Sequence, residues 1–322
     1  MAERAQPFVI GAADEGATLA AALRRHLTQD HQAVSWEQVR RLCTTGKVSV
    51  DEERALDPAR RMRAGQRVSL NQAAPRPDRT PEGFRLVFED AHLVVIDKPS
   101  GISSVPFDRK ETGTAMDLVR GIWRRKGKRA TATPLYIVHR IDKDTSGLLC
   151  FAKTRIAERG LHTIFQRHTA ARAYLAVAEG DVGAMRIESD IAADRGDGIR
   201  GSTRHKDQGQ HAVTFVEPLR RLKKATLCRV RLETGRTHQI RVHLSERGHP
   251  IVGETVYIRD LLRADRTPLL QGDPRNVPRL MLHAALLGFR HPVTNVALEW
   301  NAPPPADFVA VLEALGGSRD DL

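Results

Sequence analysis

The feature that most constrains this chain is a polar stretch punctuated by proline: Ala73-Ala74-Pro75-Arg76-Pro77-Asp78-Arg79-Thr80-Pro81-Glu82-Gly83. Proline fixes φ and removes a backbone donor, so the stretch fits neither a helix interior nor a central strand and runs extended, stiff over a few residues. It divides the 322 residues into a small unit and a large one. The predicted boundaries are a tail over 1–13, a module over 14–72, a linker over 73–84, a large domain over 85–315 and a tail over 316–322.

Within the module, Leu19, Leu23 and Leu27 recur at helical spacing. Ser35-Trp36-Glu37-Gln38 predicts a capping box opening a second helix, whose apolar stripe (Val39, Leu42, Cys43) ends at Gly46. Lys47-Val48-Ser49-Val50 alternates like a strand, Asp51 to Arg54 make a turn, and Gly65 to Leu70 form a second short strand.

Beyond the linker the pattern is mixed α+β, with strands expected at 86–89, 93–96, 135–141, 147–152, 173–178, 212–216, 226–232 and 281–286. Helices are expected at 114–125, 155–167, 237–246 and 305–314. The polar stretch 193–211 reads as a mobile surface loop.

The formal net charge of +12 favours a polyanionic partner, although a generally basic proteome would also produce it. The module has 10 Lys and Arg against 8 Asp and Glu, so most of the excess lies in the larger domain. The run Arg124-Arg125-Lys126-Gly127-Lys128-Arg129 suits either a phosphate-contacting loop or a solvated basic turn. Cys43, Cys150 and Cys228 are far apart among apolar neighbours, the pattern of buried thiols rather than a disulfide framework. No apolar run approaches the ~20 residues of a membrane span, and the N-terminus lacks a secretory pattern. A cytoplasmic monomer with no membrane association is expected.

The chemistry concentrates in Tyr136-Ile137-Val138-His139-Arg140-Ile141-Asp142-Lys143-Asp144-Thr145-Ser146-Gly147. An apolar run ends in His-Arg-Ile-Asp, passes through a Thr-Ser-Gly turn and resumes, a place where a rigid strand exposes reactive side chains. If extended geometry persists to residue 142, Arg140 and Asp142 share a face. These residues alone leave two readings open: Asp142 as a reactive carboxylate, or Asp142 as a turn cap paired with Arg140. A protein kinase loop is not the answer, since His-Arg-Asp is not contiguous and no Asp-Phe-Gly follows.

His139 to Gly147, followed by Ala152-Lys153, resembles the signature of the RluA-type pseudouridine synthases. Asp97-Lys98-Pro99-Ser100-Gly101, Arg172-Ala173-Tyr174-Leu175-Ala176, Thr234-Gly235-Arg236-Thr237-His238-Gln239-Ile240-Arg241, Gly248-His249-Pro250-Ile251 with Gly253, and Leu280-Met281-Leu282-His283-Ala284 match further elements of that family in the same order. The module resembles the αL RNA-binding motif of the fourth small-subunit ribosomal protein. It departs at Asp51, where Asn is usual; the acid there would either weaken phosphate contact or cap the turn.

The resemblance implies an α+β fold: a small N-terminal αL module, then a catalytic domain built on a mainly antiparallel mixed sheet flanked by helices. It implies that Asp142 is the essential aspartate, Tyr174 the active-site tyrosine and Arg241 the basic partner of the aspartate. Arg140 would enter the space vacated by a flipped nucleotide, and His139, Arg236, His238, Arg40, Arg41 and Lys47 would contact RNA. The reaction would isomerise uridine in structured RNA, ribosomal rather than transfer RNA given the appended module. A carboxylate can stabilise or trap the positive charge that develops at C1′ when a glycosidic bond breaks. An arginine suits it because it cannot lose its proton and can pair bidentately. No cofactor and no metal are expected, since His238 and His243 lack the spacing and companions of a zinc site. The alternatives are an RNA-binding assembly factor without catalysis, and a hydrolytic glycosidase, which would need a second carboxylate that only Asp144 offers locally.

Overall fold

The computed structural model describes residues 7–29, 34–72, 74, 80–107, 111–125, 134–196, 198–203, 208–258 and 277–322. The chain separates into two compact units between Arg79 and Thr80. Phe84 is buried in the core of the larger unit, so residues 80–84, expected as linker, belong to it.

The small unit contains β1 (Phe8–Val9), α1 (Leu19–Gln29), α2 (Trp36–Thr44), β2 (Val48–Val50), β3 (Glu53–Arg54) and β4 (Arg67–Leu70). Its sheet runs β1-β4-β2-β3. Phe8 pairs with Val68 and Ile10 lies in the core, so the expected tail over 1–13 supplies an edge strand instead. A two-residue strand carries no periodic signal; its β4 partner and the buried Ile10 define it. Leu19, Leu23, Val39, Cys43 and Val48 fill the core. The capping box forms as expected: Gln38 N–H donates to Ser35 Oγ and Ser35 N–H to Gln38 Oε1. Asp51 takes the turn-capping role. It adopts a left-handed φ of 51° and its carboxylate accepts from Arg67 N at 2.8 Å and Gln66 Nε2 at 3.0 Å.

The larger unit is built on an eleven-stranded sheet. In chain order its elements are β5 (Arg85–Glu89), β6 (Leu93–Lys98), α3 (Ala115–Arg125), β7 (Tyr136–Ile137), β8 (Ser146–Ala152), α4 (Arg155–Gln166), β9 (Ala171–Glu179), β10 (Met185–Ala192), β11 (Gly201–Thr203), β12 (Gly209–Leu222), β13 (Ala225–Leu232), α5 (Gln239–Glu246), β14 (Leu282–Arg290), β15 (Ala297–Asn301) and α6 (Ala306–Ala314). The strand order is β11-β10-β12-β13-β9-β14-β8-β6-β5, with β15 on β14 and β7 on β8. Among the described residues every pairing in this sheet is antiparallel except β14 with β8.

Apolar clusters cover both faces of the central strands. On β6, Val94 and Ile96 join the cluster containing Val119 and Trp123 of α3, while Leu93 and Val95 join the one containing Ala157 and Leu161 of α4. A strand buried on both sides reads as an unbroken apolar run, which is why 93–96 and 147–152 were legible. This parallel pairing joins the two halves of the sheet at Gly147. There φ is +113°, and a Cβ would lie 2.3 Å from the Ala284 carbonyl oxygen.

Three further expectations differ from the structure. The strand expected over 135–141 stops at Ile137, because residues 138–145 leave the sheet to form the loop that carries Asp142. The stretch 193–211 is not simply a surface loop: Gly201–Thr203 pairs with β10, and Ser202 bonds Glu246 and Ser189. The tail over 316–322 folds back, with Gly317 N–H on Leu312 O and Ser318 N–H on the Asp321 carboxylate. Strands β10 and β15 were not anticipated. Residues 126–129 of the basic run lie outside the described residues. Among the described residues, no helix is long and apolar enough to cross a membrane.

Candidate active site

The sheet brings distant segments into one row. Gly147 pairs with Ala284, Ala284 with Tyr174, and Tyr174 with Val230. The loop ending at Gly147 therefore stands beside the strand of Tyr174, and the turn into α5 follows directly from β13. These segments line a cavity of about 440 Å³ that includes Arg140, Asp142, Tyr174, Arg236, His238 and Arg241.

Asp142 is largely buried, yet its oxygens stand at ion-pair rather than hydrogen-bond distance from their cationic neighbours. Oδ2 is 3.8 Å from Arg241 Nη1 and Oδ1 is 3.9 Å from His238 Nε2. The loop is braced from behind: Thr145 N–H donates to Asp142 O, and Ser104 Oγ donates to Ile141 O at 2.6 Å and accepts from Ile141 N–H. Lys98 is fully buried beneath it, and its ammonium reaches the carbonyls of Pro99, Ile102 and Lys143.

Arg241 is buried on α5, and its Nε and Nη2 bind Glu254 bidentately at 2.7 and 2.8 Å. Glu254 also accepts from the backbone N–H groups of Thr255, Val256 and Tyr257. Burial opposes both charges, but the pair outweighs it: the guanidinium is held above its ordinary pKa and the Glu254 carboxyl below its own. Tyr257 completes the group, its hydroxyl 2.5 Å from His238 Nδ1 and its ring 5.2 Å from the Arg241 guanidinium. Burial lowers the His238 pKa, against the opposing pull of Asp142. Glu254 and Tyr257 were missed from the sequence. Their only signal is position, within four residues of the matched Gly253.

The turn between β13 and α5 is fixed by Gln239. Its Oε1 accepts from Thr234 Oγ1 and Arg236 N, and its Nε2 donates to Val213 O and Thr214 Oγ1. The expected helix start at 237 moves to 239 because His238 adopts a left-handed φ of 59°. His243 faces away from His238, its ring nitrogens on Thr214 and Ser189.

His139 lines the cavity, with one ring nitrogen already engaged inside the protein. Its Nε2 accepts from Cys150 N–H at 3.0 Å, and its ring stacks on Phe165 with centroids 4.4 Å apart. Burial pushes its pKa down to about 3, so it is a neutral brace with only the Nδ1 edge left for other contacts. Arg140 is exposed at the cavity, and Arg236 Nε donates to His211 O. Asp144 is exposed, with its carbonyl accepting from Ser100 Oγ. In the small unit Arg40 and Arg41 are exposed on α2, whereas Lys47 Nζ is tied to Ala74 O.

A largely buried carboxylate beside a braced guanidinium and a tyrosine, on a sheet of this topology, suits nucleophilic or electrostatic assistance at an electron-poor carbon. Comparison with known proteins places the chain. The profile of the family described as RNA pseudouridylate synthase matches residues 92–246. A ribosomal large subunit pseudouridine synthase D from Pseudomonas aeruginosa is 38% identical over 242 residues, covering 74% of this chain and 73% of its own. One of the same description from Zymomonas mobilis is 35% identical over 289 residues, covering 88% and 90%. The structure of human RNA pseudouridylate synthase domain containing 4 shares the fold, with a TM-score of 0.56 at 24% identity over 72% of this chain and 92% of that one. The chain belongs to the RNA pseudouridylate synthase family. It is thus an isomerase that converts uridine in RNA to pseudouridine.

Proposed function

We propose that this protein flips uridines of large-subunit ribosomal RNA into the cavity and isomerises them with the carboxylate of Asp142. The observation that carries the reading is that Asp142 faces the cavity with both oxygens beyond hydrogen-bond reach of Arg241 and His238. Such a carboxylate is free to meet C1′ as the N1–C1′ bond breaks. Uracil then turns, C5 joins C1′, C5 loses its proton and N1 gains one, so nothing leaves except by exchange with water. Tyr174 provides a stacking face for the base, and Arg241 supplies the positive charge beside the aspartate. Arg140 occupies the exposed mouth, where it can replace the extruded base at a cost of a few kcal/mol of unstacking.

Glu254 does not act as the second carboxylate of a hydrolase, because Arg241 and three backbone amides occupy it. The ribosomal substrate is supported by the descriptions of the relatives. We read residues 14–72 as an αL RNA-binding module in which Arg40 and Arg41 offer exposed guanidinium groups to phosphate, with Lys47 the weaker contributor. Mapping pseudouridines in total RNA from cells with and without the gene tests the reading. Loss of sites in large-subunit ribosomal RNA is expected. An unchanged map would overturn it, and loss confined to transfer RNA would overturn the substrate alone.

A further inference from the structure

Arg172 lies two residues before Tyr174 on β9 and so shares its face of the strand; both line the cavity. Its guanidinium is held in place on several sides. Nη2 donates to Glu233 O at 3.3 Å, and the group lies 5.7 Å over the ring of Phe165, which itself stacks on His139. Gly235 leaves room for it, since a Cβ there would stand 2.6 Å from Nη1. Yet among the described residues its Nε is buried without a hydrogen-bond partner, and no carboxylate pairs with it.

Two further cationic or titratable groups surround it. His168 follows α4 in a left-handed conformation with φ of 56°, exposed and lining the same cavity. Burial, then the positive charges of Arg172 and Arg236, lower its pKa, with Glu233 pulling the other way. Arg236 is steered to the cavity by its bond to His211 O.

The cavity thus holds two separate charge groups. At one, Asp142 is matched by Arg241 and His238, and Arg241 by Glu254. At the other, Arg172, Arg236 and His168 line the cavity, where among the described residues Asp142 is the one carboxylate in the lining. Tyr174 shares its strand face with Arg172 and lines the same cavity as Asp142. An excess of positive charge with a rigid guanidinium fork calls for an anion, and the anions of a nucleotide inserted beside Asp142 are its flanking phosphates. Asp142 itself repels them from its own end.

We propose that Arg172, His168 and Arg236 form a seat for the phosphodiester adjoining the flipped nucleotide, so that the backbone is gripped at one end of the cavity while the base is processed at the other. The proposal rests on the uridine-isomerising reading. Arg172 and His168 hold the backbone and have no part in bond making.

Tritium release from total RNA labelled with [5-³H]uridine, purified from cells lacking the gene, tests it with the full chain at a series of salt concentrations. Arg172→Gln should raise KM about tenfold with kcat within about threefold. It should also reduce the slope of log KM against log salt by about 1. Arg172→Lys, which keeps the charge, should restore most of the salt slope and less of the KM. Arg236→Gln should act in the same sense and carries the test if Arg172→Gln fails to fold. His168→Gln, which replaces an imidazole held below its ordinary pKa, should raise KM with little change of the salt slope. An unchanged KM and salt slope in all three Gln variants would overturn the seat, as would a fall in kcat alone. If the unaltered protein releases no tritium, the uridine reading fails instead, and the salt slope of filter retention of the same RNA still decides the seat.

Discussion

Arg241 divides its guanidinium between two carboxylates: Nε and Nη2 clasp Glu254 at 2.7 and 2.8 Å, while Nη1 stands 3.8 Å from Oδ2 of Asp142. The tight pair fixes the arginine and the loose one leaves Asp142 unencumbered. Were the distances exchanged, the aspartate would be locked in a salt bridge and Arg241 would be free to swing.

Asp142→Asn removes the negative charge with little change of shape. Tritium release should fall by at least about 10⁴-fold, while RNA retention on filters stays within a few-fold of the unaltered protein. Residual isomerisation above that level would mean that another group performs the step.

Glu254→Gln leaves buried Arg241 without the carboxylate that clasps it, with only the looser Asp142 beside it. Breaking one side of such a pair costs about 3–5 kcal/mol, so thermal unfolding should shift down by several degrees and kcat should fall as Arg241 loses its position. Because the folded Glu254 pKa lies below the ordinary 4.5, its stabilisation is complete above that pH and is lost as pH falls through the folded value. The variant should therefore lose part of the unaltered protein's acid sensitivity below about pH 4.5, measured by urea unfolding.

Gly147→Ala places a methyl 2.3 Å from the Ala284 carbonyl oxygen at a φ of +113°. The parallel junction of β8 and β14 cannot absorb it, and we expect a loss above about 3 kcal/mol or no soluble protein. At Gly183 a Cβ meets nothing within 4 Å, and Gly183→Ala should stay within about 0.5 kcal/mol. Equal effects at both positions in denaturant titrations would contradict the packing described at the junction.

His139, half-buried, and His243, fully buried, are neutral, with pKa values pushed down to about 3 and about 4, chiefly by desolvation. Unfolding raises them toward 6.5, so their stabilisation is full above pH 6.5 and declines as pH falls toward the folded values. Each should add up to about 1.4 kcal/mol per pH unit to the acid slope of the unfolding free energy. His243→Gln, which can still bond Thr214 and Ser189, should lower that slope between pH 6 and 4 by about one proton's worth; an unaltered slope would place the proton uptake elsewhere.

Local chemistry made much of this protein readable from its sequence. The prolines after residue 72 mark the break between units, Ser35 and Gln38 announce the start of α2, and the unbroken apolar runs of β6 and β8 follow from burial on both faces. Asp142, Tyr174 and Arg241 stand out through their matched segments. What the sequence left open depended on contacts between residues far apart. Asp51 caps a turn only because Arg67 comes back to it. Three-residue β11 is a strand only because β10 and Glu246 accept it. His139 turns inward because Cys150 and Phe165 meet its ring, and Arg241 is fixed by a glutamate across a turn. Periodicity and caps are set within a few residues of chain, whereas the partner of a charge is set by the fold. The sequence alone determined which residues could do chemistry here, and only the tertiary structure decided which of them face the cavity and which hold the others in place.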